Sequence, residues 1–119
     1  EKNPEEWARL HHLLGAAFAR LDGGTSRPRL LRAIEHYAAA LEERTAQARP
    51  LEAAMTLNNL GNAYRDLPGG DRAQALDLAL RSFDAALEAL GYAADQSARA
   101  QIERNRLLAL REIERLPKP

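Results

Sequence analysis

Apolar residues along this chain return at steps of three and four. Leu76, Ala79, Leu80, Phe83, Ala86, Leu87 and Leu90 would fall on one stripe of a helix, and the strict alternation of a half-buried strand is found nowhere. Polar and breaking residues divide the pattern into five helical stretches. Asn3-Pro4-Glu5-Glu6 has the make-up of a helix start: a capping side chain, a proline whose missing N–H costs nothing in the first turn, and two acids favoured by the helix dipole. Helix 1 is therefore expected to run to about Leu21 and stop at Asp22-Gly23-Gly24. Thr25 or Ser26 is expected to cap helix 2, which carries Pro28 in its first turn and continues to about Ala48. Pro50 opens helix 3, which ends at Leu67-Pro68-Gly69-Gly70. Asp71 caps helix 4 and Gly91 closes it in a left-handed conformation. Helix 5 should span about Asp95 to Leu116, ahead of Pro117. The short glycine-bearing links after helices 1 and 3 predict antiparallel helix hairpins.

The stretches are not independent. Residues 4–42 align without a gap on residues 50–88, and 15 of the 39 aligned positions are identical. Among them are Pro4 with Pro50, Leu14-Gly15 with Leu60-Gly61, Gly23-Gly24 with Gly69-Gly70, Ala33 with Ala79, and Ala39 to Glu42 with Ala85 to Glu88. Phe18 and Tyr37 exchange aromatic for aromatic with Tyr64 and Phe83. A constant 46-residue offset is the mark of stacked units, none of which can bury its apolar face alone. Repeat one then covers residues 4–49 and repeat two 50–94, with a last helix at 95–116, all within one domain of residues 1–119. Gly15 and Gly61 fall mid-helix, where glycine costs about 1 kcal/mol relative to alanine. The expected compensation is close approach of the partner helix at Ala33 or Ala79, with Ala40 and Ala86 serving the next hairpin in the same way.

Leu14-Gly15-Phe18 with Ala33-Tyr37-Ala40, and Leu60-Gly61-Tyr64 with Ala79-Phe83-Ala86, resemble the signature of the tetratricopeptide repeat. The usual unit of that family is about 34 residues, so the resemblance is to a long variety found in large bacterial proteins, where such arrays often adjoin caspase-like (CHAT) protease or NTPase domains. It implies an all-α solenoid of helical hairpins: two repeats plus a capping helix. It also implies a cytoplasmic, non-catalytic module that binds another protein or peptide. Helix 5 continues the repeat imperfectly. The 46-residue shift carries Asn59 onto Asn105 but turns Leu60-Gly61 into Arg106-Leu107. Its arginines and glutamates suit a polar terminal cap, as solenoids require; the other reading is a fragment that lacks the companion helix. The chain opens on Glu1 and closes on Pro117-Lys118-Pro119, as a segment of a longer protein would.

In that family the first helix of each repeat lines a concave groove, which directs attention to helices 1, 3 and 5. Helical phase nominates Arg9, His12, Ala16 and Arg20 on helix 1, and Met55, Asn58, Asn59, Asn62 and Arg65 on helix 3. On helix 5 it nominates Gln101, Arg104, Asn105, Leu108 and Arg111. Asn58 and Asn62 lie one turn apart and are expected to present two amides that grip a peptide backbone. Asn59 is the one expected to bond the neighbouring repeat. Arg65, Arg104 and Arg111 supply guanidinium forks suited to carboxylates, so the expected ligand is an extended or helical peptide, with acidic residues suited to those forks. The rival expectation is a structural segment of a longer array that self-associates through its open ends or regulates an adjoining enzyme.

Bulk composition narrows the alternatives. Seventeen basic residues balance 17 acidic ones, so no whole-molecule field draws the chain to nucleic acid or an anionic membrane. Basic residues are interleaved with acids and lack a platform of aromatic rings for stacked bases. With no cysteine there is no disulfide framework or thiolate metal site. His11, His12 and His36 are not joined by the cysteines or close carboxylates that would complete a metal shell. No nucleophile–base grouping or phosphate loop is legible, and no apolar run is long enough for a membrane span or a signal peptide. No enzyme activity, cofactor or metal is expected.

Overall fold

The computed structural model describes residues 3–21, 26–45, 47–91 and 95–118. Among them are five α-helices and no strand: α1 Pro4–Arg20, α2 Arg27–Glu43, α3 Pro50–Asp66, α4 Arg72–Leu90 and α5 Gln96–Glu114. The 46-residue period survives folding, since α1 and α3 begin and end at positions related by that shift.

Caps explain most boundaries. The Asn3 carboxamide oxygen accepts the backbone N–H of Glu5 at 2.9 Å and of Glu6 at 3.3 Å, satisfying two of the donors a helix start leaves free. Asp71 does the same for Gln74 at 3.0 Å, and Asp95 for Ala98 at 3.1 Å. Ser26 occupies the cap position of α2 without a side-chain bond. The expected turn at Asp22-Gly23-Gly24 and the alternative cap Thr25 lie outside the described residues. Gly91 does end α4 at positive φ, but its φ of 67° is paired with a ψ of −154°, so the backbone turns into an extended region open to glycine rather than the left-handed helical one. Helix 2 is shorter than its pattern implies. It stops at Glu43 instead of Ala48 because Arg44 leaves helical geometry while its side chain turns inward.

Each helix packs chiefly on its neighbour in sequence, and the odd-numbered helices also touch one another, α1 on α3 and α3 on α5. The row this produces is elongated, 50 × 33 × 22 Å. Two apolar clusters fill it. One joins α2 and α3 through Leu30, Ala33, Tyr37, Leu60, Ala63 and Leu67. The other joins α3, α4 and α5 through Ala54, Ala79, Phe83, Ala86, Leu90, Ala98, Ile102 and Ala109. Fully burying one large side chain such as Phe83 is worth roughly 1.5–3 kcal/mol, so the clusters outweigh any cap.

The mid-helix glycines are explained by rings, not by the alanines named from the sequence. A Cβ on Gly15 would meet the Tyr37 ring at 2.7 Å, and one on Gly61 would meet the Phe83 ring at 2.6 Å. The aromatic residue of each hairpin's second helix lies against bare backbone on the first.

Candidate functional site

Side chains bridge the odd-numbered helices in a way the repeat itself generates. The Asn105 Nδ2 group donates to Asn58 Oδ1 at 3.0 Å, linking α5 to α3. Asn59 Nδ2 lies 3.5 Å from His12 Nε2, linking α3 to α1. His12 and Asn58 are separated by 46 residues, as are Asn59 and Asn105, so one polar rung is used twice.

Three further contacts fix the state of His12. The Thr56 hydroxyl donates to the Glu52 carbonyl at 2.9 Å, so its oxygen is left to accept. It receives Arg44 at 3.4 Å and His12 Nδ1 at 2.9 Å. The His12 proton therefore sits on Nδ1, and Nε2 offers a lone pair to the Asn59 amide. Burial, and then the nearby Arg44 charge, hold the His12 pKa below its ordinary value. Arg44 itself is nearly buried and pairs with Glu5 at 3.1 Å. Arg44 is not among the residues that helical phase nominates, yet its 46-residue equivalent is the buried Leu90, and an arginine at a core position of a repeat is a legible signal.

These bonds redistribute the nominated residues. Asn58 is 0% exposed, so it offers no amide to a ligand. Asn58 serves α5 through Asn105, and Asn59, partly buried, bonds the neighbouring repeat at His12 as expected and is also hydrogen-bonded to the Tyr37 hydroxyl. Met55 is likewise withdrawn, packed against the second apolar cluster. Asn105 is held by its rung and accepts Arg65 at its carbonyl, 3.4 Å away. Arg9, Gln101 and Arg104 are exposed and make no hydrogen bond or ion pair among the described residues.

The remaining nominees line two crevices along the odd-helix face. The first, about 150 Å³, lies between α1 and α3 over a floor of Leu30 and Tyr37. Ala16, Ala19 and Arg20 wall one side, and Asn59, Asn62, Ala63 and Asp66 the other. Burial pushes the Tyr37 hydroxyl up to about 12, partly offset by the charge of Arg20 and the bond from Asn59, so it is a neutral phenol at any physiological pH. The Oδ1 atom of Asn62 is buried and has no hydrogen-bond partner among the described residues. The second crevice, about 220 Å³, lies between α3 and α5 and is lined by Arg65, Leu108, Arg111, Glu112 and Arg115.

A separate pair joins α1 to α2. His11 and His36 meet Nδ1 to Nδ1 at 2.8 Å, which requires one ring to donate and the other to accept. Phe18 stacks on His36 with ring centroids 5.4 Å apart. Burial, then His11 and Arg32, lower the His36 pKa against a smaller opposing effect of Glu35. No group of three or more histidines and acids placed to hold a metal ion occurs among the described residues, and no helix among them is long and apolar enough to cross a membrane. Comparison with protein-family models, with curated proteins and with solved structures gives no match.

Proposed function

We propose that the chain is a tetratricopeptide-type solenoid whose odd-helix face is a concave groove for a peptide segment rich in acidic residues, and that it works as a non-catalytic scaffold. The observation that carries this reading is the distribution of charge partners. Several cations have carboxylates within reach: Arg32 with Glu35 at 3.7 Å and Arg81 with Asp77 at 3.0 Å on the even helices, and Arg65 with Asp66 at 3.5 Å and Arg106 with Asp84 at 2.5 Å on the odd ones. The exposed Arg9 and Arg20 of α1, Arg104 and Arg111 of α5, and Arg115 at its end have none among the described residues. Of these, Arg111 and Arg115 line the α3–α5 crevice, where exposed, unpaired guanidinium groups are ready to take carboxylates from a partner. A cytoplasmic setting and a bacterial parent belong to the same proposal, and rest on the family resemblance alone.

Selection from a displayed peptide library tests it. The wild-type chain should enrich acidic sequences, with retention falling as salt rises from low to physiological strength. The double variant Arg111→Glu/Arg115→Glu should lose that enrichment while keeping its helical content. Equal enrichment by the two proteins would overturn the assignment of the groove.

Exposed leucines favour a second reading. Leu10 and Leu13 on α1, Leu21 just beyond it, and Leu107 on α5 leave apolar surface on the first and last helices of the row. Under this reading the chain is a segment that associates end to end or regulates an adjoining enzyme domain. Light scattering separates the two, because an end-to-end stack grows with concentration and a groove binder does not.

A further inference from the structure

The two crevices are the same place in successive repeats. Shifting Ala19, Asn62 and Asp66 of the first by 46 residues gives Arg65, Leu108 and Glu112 of the second. Their chemistry has diverged. In the first, Arg20 and Asp66 oppose each other across the opening, so the net charge is near zero, and the polar groups are the Asn62 amide, with its buried unpartnered oxygen, the Asn59 amide and the Tyr37 phenol. In the second, three guanidinium groups line the opening with one carboxylate, Arg65 being paired with Asp66 at 3.5 Å, and the amide has become Leu108. That one carboxylate, on Glu112, is already shared with Arg72 at 3.9 Å, while Arg111 and Arg115 have no acidic partner among the described residues.

Resting on the peptide-binding reading above, we infer that the crevices are unlike anchors that together fix the register of one extended peptide. The α1–α3 crevice takes a neutral hydrogen-bonding side chain of the glutamine or asparagine kind, and the α3–α5 crevice takes a carboxylate. A primary amide supplies the donor that the Asn62 oxygen lacks and can accept from the groups around it, whereas a charged side chain there would meet a like charge at one rim or the other. The carboxylate is drawn to the excess of arginine in the second crevice, where Leu108 covers its methylene stem. Spacing follows from helix packing. Neighbouring helices lie roughly 8–10 Å apart, and a polyproline-type segment returns to the same face every three residues with a rise of about 3.1 Å each. The two anchoring side chains are therefore three positions apart.

The test uses capped octapeptides and nuclear magnetic resonance, following arginine Nε–H and asparagine side-chain signals of the whole chain. The probes are acetyl-Ala-Ala-Gln-Ala-Ala-Glu-Ala-Ala-amide, the peptide with Gln and Glu exchanged, one of the same composition with Gln and Glu adjacent, and versions of the spaced peptides with Glu replaced by Gln or Gln by Ala. One of the two spaced peptides should bind at least fivefold more tightly than the adjacent one, shifting the Arg65, Arg111 and Arg115 signals together with that of Asn62. Arg111→Gln/Arg115→Gln should abolish the preference for Glu over Gln in the second anchor and leave the first intact. Asn62→Leu, which installs the residue of the second crevice, should abolish the preference for Gln over Ala in the first anchor only. Thermal melting checks that each variant is folded. Equal binding of spaced and adjacent peptides on this face would overturn the register while leaving the peptide-binding reading in place. Absence of any shift on the odd-helix face with every peptide would overturn both.

Discussion

At the scale of single residues, the hairpins depend on two aromatic rings seated on two glycines. Gly61→Ala gains up to about 1 kcal/mol of helix propensity. It also places a methyl group against the fully buried Phe83 ring, whose neighbours leave it nowhere to go. Overpacking of this kind costs about 1–3 kcal/mol, so the net effect should be loss of stability, larger for Gly61→Leu, and partly relieved when Phe83→Leu is combined with Gly61→Ala. Denaturant melts of the single and double variants check this; a stabilised Gly61→Ala would show that the ring can shift freely. Asn58 gives a second test at this scale. As a groove residue it could be removed without harm to folding, but its oxygen receives Asn105 inside the protein. Asn58→Ala should therefore lower stability by about 1 kcal/mol, the loss of a part-buried hydrogen bond offset in part by removal of the unpartnered Asn58 Nδ2. An unchanged melting temperature would return Asn58 to the surface.

The elements themselves were largely legible. Proline and acids at helix starts, aspartates before α4 and α5, and the repeat that duplicates α1 as α3 are all local features, and local features are what a sequence displays. Long-range polar bonds were harder to foresee. The end of α2 was misplaced because nothing between Glu43 and Ala48 breaks a helix by itself; the cause is Arg44, drawn inward by Glu5 from α1 and Thr56 from α3. Asn58 is a buried rung and not a groove amide for a similar reason, whereas Asn59 does reach the neighbouring repeat at His12. Adjacent residues on a helix point about 100° apart, and a small error in the assumed face of α3 decides which of them meets α5. The Arg44 contacts clamp three elements at one point, so Glu5→Ala should cost about 1–3 kcal/mol. It should lower the melting temperature more than removal of an exposed acid such as Glu35, whose pair with Arg32 is solvated and worth little. Equal shifts would mean that Arg44 is satisfied by solvent.

For the molecule as a whole, the shape of the contact network decides how damage spreads. Each helix leans mainly on its neighbours in the row, so a perturbation at one end need not reach the other. The histidines all lie in the first hairpin, and His12 and His36 both have pKa values lowered from the ordinary 6.5. A base whose folded pKa is depressed binds fewer protons in the native chain than in the unfolded one at pH values between the two pKa values. Its contribution is fully present above 6.5, and is lost as pH falls from there through the folded value. Protonation also breaks specific bonds. A charged His12 would turn Nε2 from acceptor to donor facing the Asn59 amide, and His11 and His36 cannot share their Nδ1 bond once both carry two protons. The groups facing these rings do not reverse the sign, since Arg44 opposes protonation of His12, Arg32 opposes it at His36, and the attraction of Glu35 is the smallest influence there. Hydrogen exchange at pH 7 and pH 5, corrected for intrinsic rates, should therefore show protection falling in α1 and α2 and in the part of α3 that touches them. The helices α4 and α5 should keep their protection until lower pH. The double variant His11→Gln/His36→Gln should flatten part of that fall. Uniform loss across all five helices would show that the row unfolds as a single cooperative unit, and equal protection at both pH values would show that the first hairpin accommodates charged histidines.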